Sequence, residues 1–204
     1  MAGVSLTGAA HNPFAAARFA PGALPWLGDD VDGMLARVCV SGSRHQILGP
    51  RGSGKSTLLC ELERRARRAG WRVARVRGSR GLAGLEGGEL WLVDEYEELS
   101  RWERWWVAQR PRLPASGGRA ALVVTAHRDA GFPTLCERAV SAEVARGVVE
   151  RLLAGQGDFA APSEADLALA LWRHSGNLRE VLFELYDQVE RIAAGRRPAV
   201  DAGG

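Results

Sequence analysis

The spacing of apolar positions along the chain changes several times, and each change predicts an element. Gln46-Ile47-Leu48 is a short apolar strand that runs into a glycine-dense turn from Gly49 to Gly54. Leu58, Leu59, Leu62, Ala66 and Ala69 then recur at helical spacing, predicting an amphipathic helix that Gly70 stops. Trp71 to Val76 reads as a second strand, and Leu90-Trp91-Leu92-Val93 as a strand buried on both faces. Ala120 to Thr125 is another buried strand, and Arg138 to Val140 is read as a last short one. Gly78–Glu89, joining the second and third strands, is short for a crossover between parallel strands. A short helix is expected near Val31–Val38, and Ser100 with Glu103 caps another that Pro111 ends. From Ser141 onward only helical periods occur. One spans about Glu143–Ala154, a second starts at Ser163 with Asp166 three residues on, and a third at Asn177 with Glu180 three residues on. The order predicts an α/β domain followed by a small all-helical cap.

Composition sharpens one position. Of 27 lysines and arginines, only Lys55 is lysine. In a chain so biased toward arginine, a surviving lysine marks a place where a planar guanidinium does not substitute for a compact ammonium. No apolar run approaches the roughly 18 residues of a membrane-spanning helix, so no membrane insertion is expected. Met1 to His11 lacks the charged start and apolar block of a signal peptide. Cys39, Cys60 and Cys136 are too few and scattered for a disulfide framework, which fits a cytoplasmic protein. The net charge of +3 permits contact with nucleic acid without arguing for it.

Lys55 lies inside Gly49-Pro50-Arg51-Gly52-Ser53-Gly54-Lys55-Ser56, a full match to G-x-x-x-x-G-K-[ST]. Glycines at this spacing let successive backbone N–H groups wrap a phosphate, and the following helix points its positive end at the same anion. Lys55 is placed to bridge β- and γ-phosphates, Ser56 to ligate Mg²⁺, and Thr57 to lie beside the α-phosphate. A strand before the motif and an amphipathic helix after it supply the context the pattern requires.

On these residues the chain resembles the P-loop NTPases, and Leu90-Trp91-Leu92-Val93-Asp94-Glu95 resembles their Walker B segment. The resemblance implies Asp94 as a Mg²⁺ ligand through water and Glu95 as the group that polarises attacking water. Ala121–Thr125 is similar to a sensor-1 strand lying between the P-loop and Walker B strands. Thr125 is its candidate for the γ-phosphate or the lytic water, with His127 as the alternative. Gly176-Asn177-Leu178-Arg179-Glu180 resembles the sensor-2 helix of AAA+ ATPases, whose arginine, here Arg179, reaches the phosphates from a helical lid. Asn12-Pro13-Phe14 resembles the lead-in of general-secretion-type and transposition-type AAA+ ATPases, which implies that Asn12 and Phe14 lie near the adenine.

This resemblance implies a P-loop three-layer sandwich with a mainly parallel sheet of about five strands and a small C-terminal helical lid. Its parts would be a lead-in over 1–30, a nucleotide-binding core over 31–142, a lid over 143–195 and a flexible tail over 196–204. The implied activity is ATP hydrolysis with Mg²⁺, coupled to a conformational change acting on a protein or nucleic-acid partner. An ATP-dependent scaffold with little turnover is the alternative, and a small P-loop kinase a third reading. Arg138 or Arg128 would serve an oligomer as an arginine finger. Trp102, Trp105 and Trp106, at i, i+3 and i+4, are read as core packing or a docking face for a protein partner, with single-stranded nucleic acid as the other possibility. Arg64, Arg65, Arg67 and Arg68 follow Glu61 and Glu63 at ion-pairing spacing and read as a solvated face.

Overall fold

The computed structural model describes residues 12–28, 30–40, 42–80, 82, 87–112, 120–154, 156 and 161–195. The segment Met1 to His11 and the expected tail over 196–204 lie outside the described residues. Five strands form one sheet: β1 (Ser43–Leu48), β2 (Val73–Arg77), β3 (Leu90–Asp94), β4 (Ala121–Ala126) and β5 (Thr134–Glu137). Their order is β2-β3-β4-β1-β5, and every neighbouring pair is parallel. This order accounts for the hydropathy. β3 and β4 are interior strands and are buried at every position, so their sequences are continuous apolar runs. β2 and β5 are edges and end in the exposed Arg77 and Glu137.

The last strand differs from the sequence expectation. It lies at Thr134–Glu137, ahead of Arg138–Val140, because Leu135 is the residue that enters the core. Arg138 follows the strand, and its N–H donates to Leu48 O at 2.7 Å.

Helices cover both faces of the sheet. α1 (Val31–Val38) and α2 (Lys55–Arg68) lie on one side, where Leu58, Leu59 and Leu62 meet Ile47, Leu92 and Val123. Gly70, at φ +81°, takes the left-handed conformation that ends α2. On the other face α3 (Arg101–Gln109) places Val107 against Trp91, Val93, Leu122 and Val124. Ser100 and Glu103 form the reciprocal capping box at its start.

The C-terminal helices α4 (Ala142–Leu153), α5 (Glu164–Arg173) and α6 (Leu178–Gly195) enclose a separate core of Val149, Leu152, Leu167, Leu171, Val181 and Leu182. Ser163 and Asp166 form a second complete capping box. Asn177 differs. Its backbone carbonyl accepts from Glu180 N and Val181 N, as an N-cap carbonyl should, but its side-chain oxygen is buried without a hydrogen-bond partner. It has turned away from the helix, toward the glycine loop after β1.

Candidate functional site

The carboxyl ends of β1, β3 and β4 meet at one edge of the sheet, where the chain leaves β1 through the glycine loop and leaves β3 through Asp94-Glu95. Lys55, at the first turn of α2, is 8% exposed, and its ammonium donates to the carbonyls of Gly49 and Pro50, each at 2.7 Å. Burial holds the Lys55 pKa below the usual lysine range, opposed by the charges of Glu97, Asp94 and Glu95. Ser56 Oγ donates to Asp94 Oδ1 at 3.1 Å. Thr125 Oγ1, fully buried on β4, donates to the same oxygen at 2.6 Å and accepts the Glu95 N–H at 3.0 Å. One chain of hydrogen bonds therefore joins the lysine's helix, the acid at the end of β3 and the hydroxyl on the strand between them.

Two glycines of the loop hold left-handed backbone at close approaches where a Cβ would collide. Gly52 has φ +71°, and a Cβ there would fall 1.8 Å from Asn177 Oδ1. Gly49 has φ +154°, and its Cβ would fall 2.5 Å from Arg138 O and 2.7 Å from Ser53 Oγ. The loop thus lies directly beneath the first turn of α6. Arg179, exposed in that turn, lines the same cleft.

The cleft has a volume of about 470 Å³. Its charged end is lined by the loop from Arg51 to Thr57 together with Arg77, Asp94, Glu95, Glu97 and His127. Apolar lining comes from Leu24, Trp26 and Leu27 of the N-terminal segment and from Val144, Val148 and Leu182 of the C-terminal helices, with Trp26 lying against Gly54 of the loop. A phosphate-sized anion suits the charged end and a flat apolar group the apolar lining.

Asn12 and Phe14 do not line it. Phe14 is buried in the lid core, and Asn12 Nδ2 donates to Tyr186 O at 3.1 Å and Glu190 Oε1 at 2.9 Å. These two residues fasten the lead-in to the lid, and the stretch that reaches the cleft is the following Phe19 to Leu27. Arg138 also departs from expectation. It is 8% exposed and lies over the Trp26 ring, 4.7 Å from its centroid, inside the chain's own cleft, so it is not presented to a neighbouring subunit. Arg128 is exposed. Thr125 supports Asp94 and Glu95 from within the sheet, whereas His127, two residues on, stands at the rim.

Sequence reasoning missed the state of Glu95. Its backbone is left-handed, at φ 58°, and its carboxylate is gripped by Arg77 through Nε to Oε2 at 2.7 Å and Nη2 to Oε1 at 2.6 Å. The Arg77 hydrogen bonds hold the Glu95 pKa below the ordinary glutamate range. Arg75, one pleat back on β2, reaches Asp94 Oδ2 at 3.8 Å. The one signal was register: two arginines alternating at the end of a strand that pairs Arg77 with Asp94.

The other clusters resolve simply. Arg64 and Arg65 pair with Glu61, which is itself buried, and Arg67 with Glu63, so the cluster is tied to acids of its own helix and only partly solvated. Trp106 packs toward the core beneath Arg110, while Trp102 and Trp105 stack on each other at 4.7 Å, 67% and 53% exposed.

No family model and no curated protein matches the sequence. Solved structures match the fold. The replication initiator DnaA, bound to AMPPCP and single-stranded DNA, superposes with a TM-score of 0.54 at 16% identity, over 81% of this chain and 63% of that one. RuvB of Thermotoga maritima, as its K64R mutant, gives 0.55 at 15% identity over 81% and 60%. The fold is that of the AAA+ P-loop ATPases. NtrX of Brucella abortus in complex with ATP gives 0.54 at 16% identity, over 90% of this chain and 56% of that one. The chain therefore spans less than two thirds of the length of these AAA+ structures. In the sheet β4 lies between β1, which leads into the glycine loop, and β3, and helices α5 and α6 fit the helical C-terminal lid of the AAA+ fold. Among the described residues no helix is long and apolar enough to cross a membrane.

Proposed function

We propose that the chain binds ATP with Mg²⁺ in this cleft and hydrolyses it, using the cycle to move the lid against the core. The observation that carries the reading is the hydrogen-bonded chain Ser56–Asp94–Thr125–Glu95 beside a buried lysine at the mouth of a glycine cradle. A hydroxyl and a carboxylate sharing a hydrogen bond make an oxygen donor pair of the kind Mg²⁺ prefers, so Ser56 and Asp94 would hold the ion. When bound, the ion neutralises charge on the phosphates. Lys55 would exchange its two carbonyl partners for β- and γ-phosphate oxygens, and the loop from Gly49 through Pro50, Arg51, Gly52, Ser53 and Gly54 would supply its N–H groups. Thr57 would lie at the α-phosphate, and the base would rest between Trp26 and the lid residues Val144 and Val148. Glu95 would orient the attacking water, with Thr125 fixing its backbone. Arg179 would close the lid on the phosphates.

Titration with a fluorescent ATP analogue, followed by phosphate release, tests this reading. Lys55→Ala should abolish binding, and Glu95→Gln should retain binding and lose turnover by orders of magnitude. Undiminished binding by Lys55→Ala refutes the site, and parental turnover by Glu95→Gln refutes the catalytic assignment.

One observation favours a second reading, an ATP-dependent switch that turns over slowly and acts on a protein partner. Both Glu95 carboxylate oxygens are occupied by Arg77, which would restrain Glu95 from orienting a water, and Arg138 lies over Trp26 in its own cleft. The nucleotide and single-stranded DNA present in the DnaA structure make nucleic acid a partner to test alongside proteins. Oligomer formation on ATP by Glu95→Gln, read by light scattering, separates a remodelling assembly from a monomeric switch.

A further inference from the structure

A third acid stands at the phosphate end of the cleft, and neither the metal site nor the attacking water requires it. Glu97 follows the Walker B pair on a short 3₁₀ turn, Tyr96–Glu98, and lines the cleft with Lys55, Arg51 and His127. Its side chain is 34% exposed, yet both carboxylate oxygens are shut off from solvent. Glu97 Oε1 is in contact with His127 Nδ1, and neither carboxylate oxygen has a hydrogen-bond partner among the described residues. A carboxylate screened from water with so little compensation is costly unless cations supply its field. Lys55 and Arg51 of the phosphate loop line the cleft beside it, and Arg104 donates through Nη2 to Glu97 O at 2.6 Å. Among the charged groups acting on Lys55, Glu97 exerts the largest influence, ahead of Asp94 and Glu95.

Resting on the ATP reading above, we infer that Glu97 is an internal anion standing in for the γ-phosphate, and that it sets the preference of the cleft between nucleoside triphosphate and diphosphate. In the nucleotide-free chain it supplies negative charge beside Lys55 and is held against His127. The γ-phosphate brings its own negative charge to the same end of the cleft and must either displace Glu97 or bear its repulsion. The diphosphate ends one group short, so it meets less of that repulsion. Glu97 thus acts against ATP more than against ADP, and the triphosphate binds at the cost of breaking the Glu97–His127 contact. Rearrangement of that contact would distinguish the two nucleotide states at a point joining β3 to β4.

The test measures affinities for AMPPCP and ADP, each with Mg²⁺, by calorimetry on the parent and on Glu97→Gln. The substitution removes the charge and keeps the shape. AMPPCP should bind Glu97→Gln about fivefold to thirtyfold tighter than it binds the parent, the scale of one charge removed at several ångströms in a partly screened cleft. ADP should change by less than about threefold, which also shows that the variant is folded. His127→Ala, which removes the side chain that Glu97 rests against and keeps the acid, should shift the ratio the other way. If Glu97→Gln keeps the parent's AMPPCP-to-ADP ratio, shifts it toward ADP, or loses both nucleotides, the inference is wrong. Failure of the parent itself to bind either nucleotide would instead overturn the ATP reading on which it rests.

Discussion

Arg77→Ala should make the protein a faster ATPase. The Arg77 guanidinium holds both oxygens of Glu95, at 2.6 and 2.7 Å, in the two-pronged geometry that makes arginine–carboxylate pairs strong. Solvent reduces that strength, because Arg77 is 65% exposed and Glu95 26%. A charge-assisted pair of this geometry, discounted for exposure, contributes about 1–1.5 kcal/mol. Held by that much, Glu95 would occupy a water-orienting pose about five- to tenfold less often than when free. Removing the clamp also lets the Glu95 pKa rise toward its ordinary range, which makes the carboxylate a better proton acceptor. Both effects act in the same direction. Phosphate release at saturating ATP should therefore rise about five- to tenfold in Arg77→Ala, with ATP affinity little changed. The parent's rate should also climb with added salt as the exposed pair is screened, while the variant's stays level. Equal or slower turnover by Arg77→Ala, with nucleotide affinity intact, would show that the pair does not restrain Glu95.

Thr125→Val keeps the shape of a fully buried residue but strips Asp94 of a 2.6 Å hydrogen bond and leaves the Glu95 N–H without its acceptor. It should lower stability by about 2–3 kcal/mol, seen as a fall of about 5–10 °C in Tm, and Thr125→Ser should recover most of the loss. Gly52→Ala places a Cβ 1.8 Å from Asn177 Oδ1 at φ +71°, so it should abolish binding of a fluorescent ATP analogue. The double variant with Asn177→Gly should bind measurably better, because the collision with Oδ1 is gone, leaving the backbone strain and the 3.2 Å approach to Arg179 N. Glu184 ties the end of α5 to α6 through His174 Nε2 at 2.9 Å and Arg173 Nη2 at 3.0 Å, and its pKa is depressed, first by His174. A depressed carboxyl stabilises the fold above its unfolded pKa and loses that contribution as pH falls through its folded value. Denaturant titrations should show Glu184→Gln less stable than the parent by about 0.5–1 kcal/mol at pH 6, with the gap closing toward pH 3. A gap that widens with acid would reverse the sign of the argument.

What could be read in the sequence, and what could not, divides along the range of the forces involved. The P-loop, the strand before it and the helix after it are local: φ at Gly52 and Gly54, apolar spacing over α2 and the stop at Gly70 are each decided within a few residues. The interior position of β3 and β4 was legible because burial on both faces leaves no polar alternation. Asn12 and Phe14 do not line the cleft because the partners of Asn12, Tyr186 and Glu190, lie some 170 residues away and Phe14 joins the core of the C-terminal helices, and no local pattern reports which face a lead-in will meet. β5 was placed a few residues late for a related reason. An edge strand held by one inward leucine carries little periodicity, and the apolar Val140 beyond it belongs instead to the lid core. Arginines were the least readable. In a chain with one lysine, Arg138 looked free to serve a neighbour, whereas it stacks on Trp26. Arg77 lies beyond the strand expected over Trp71–Val76, and parallel register carries it to the residue after Asp94. Lys55 was readable because a single residue type met a single geometric demand, whereas the role of each arginine depends on which strand lies beside it. The structure therefore adds least at the phosphate cradle and most at the charges around Glu95 and Glu97, where the proposed cycle would be controlled.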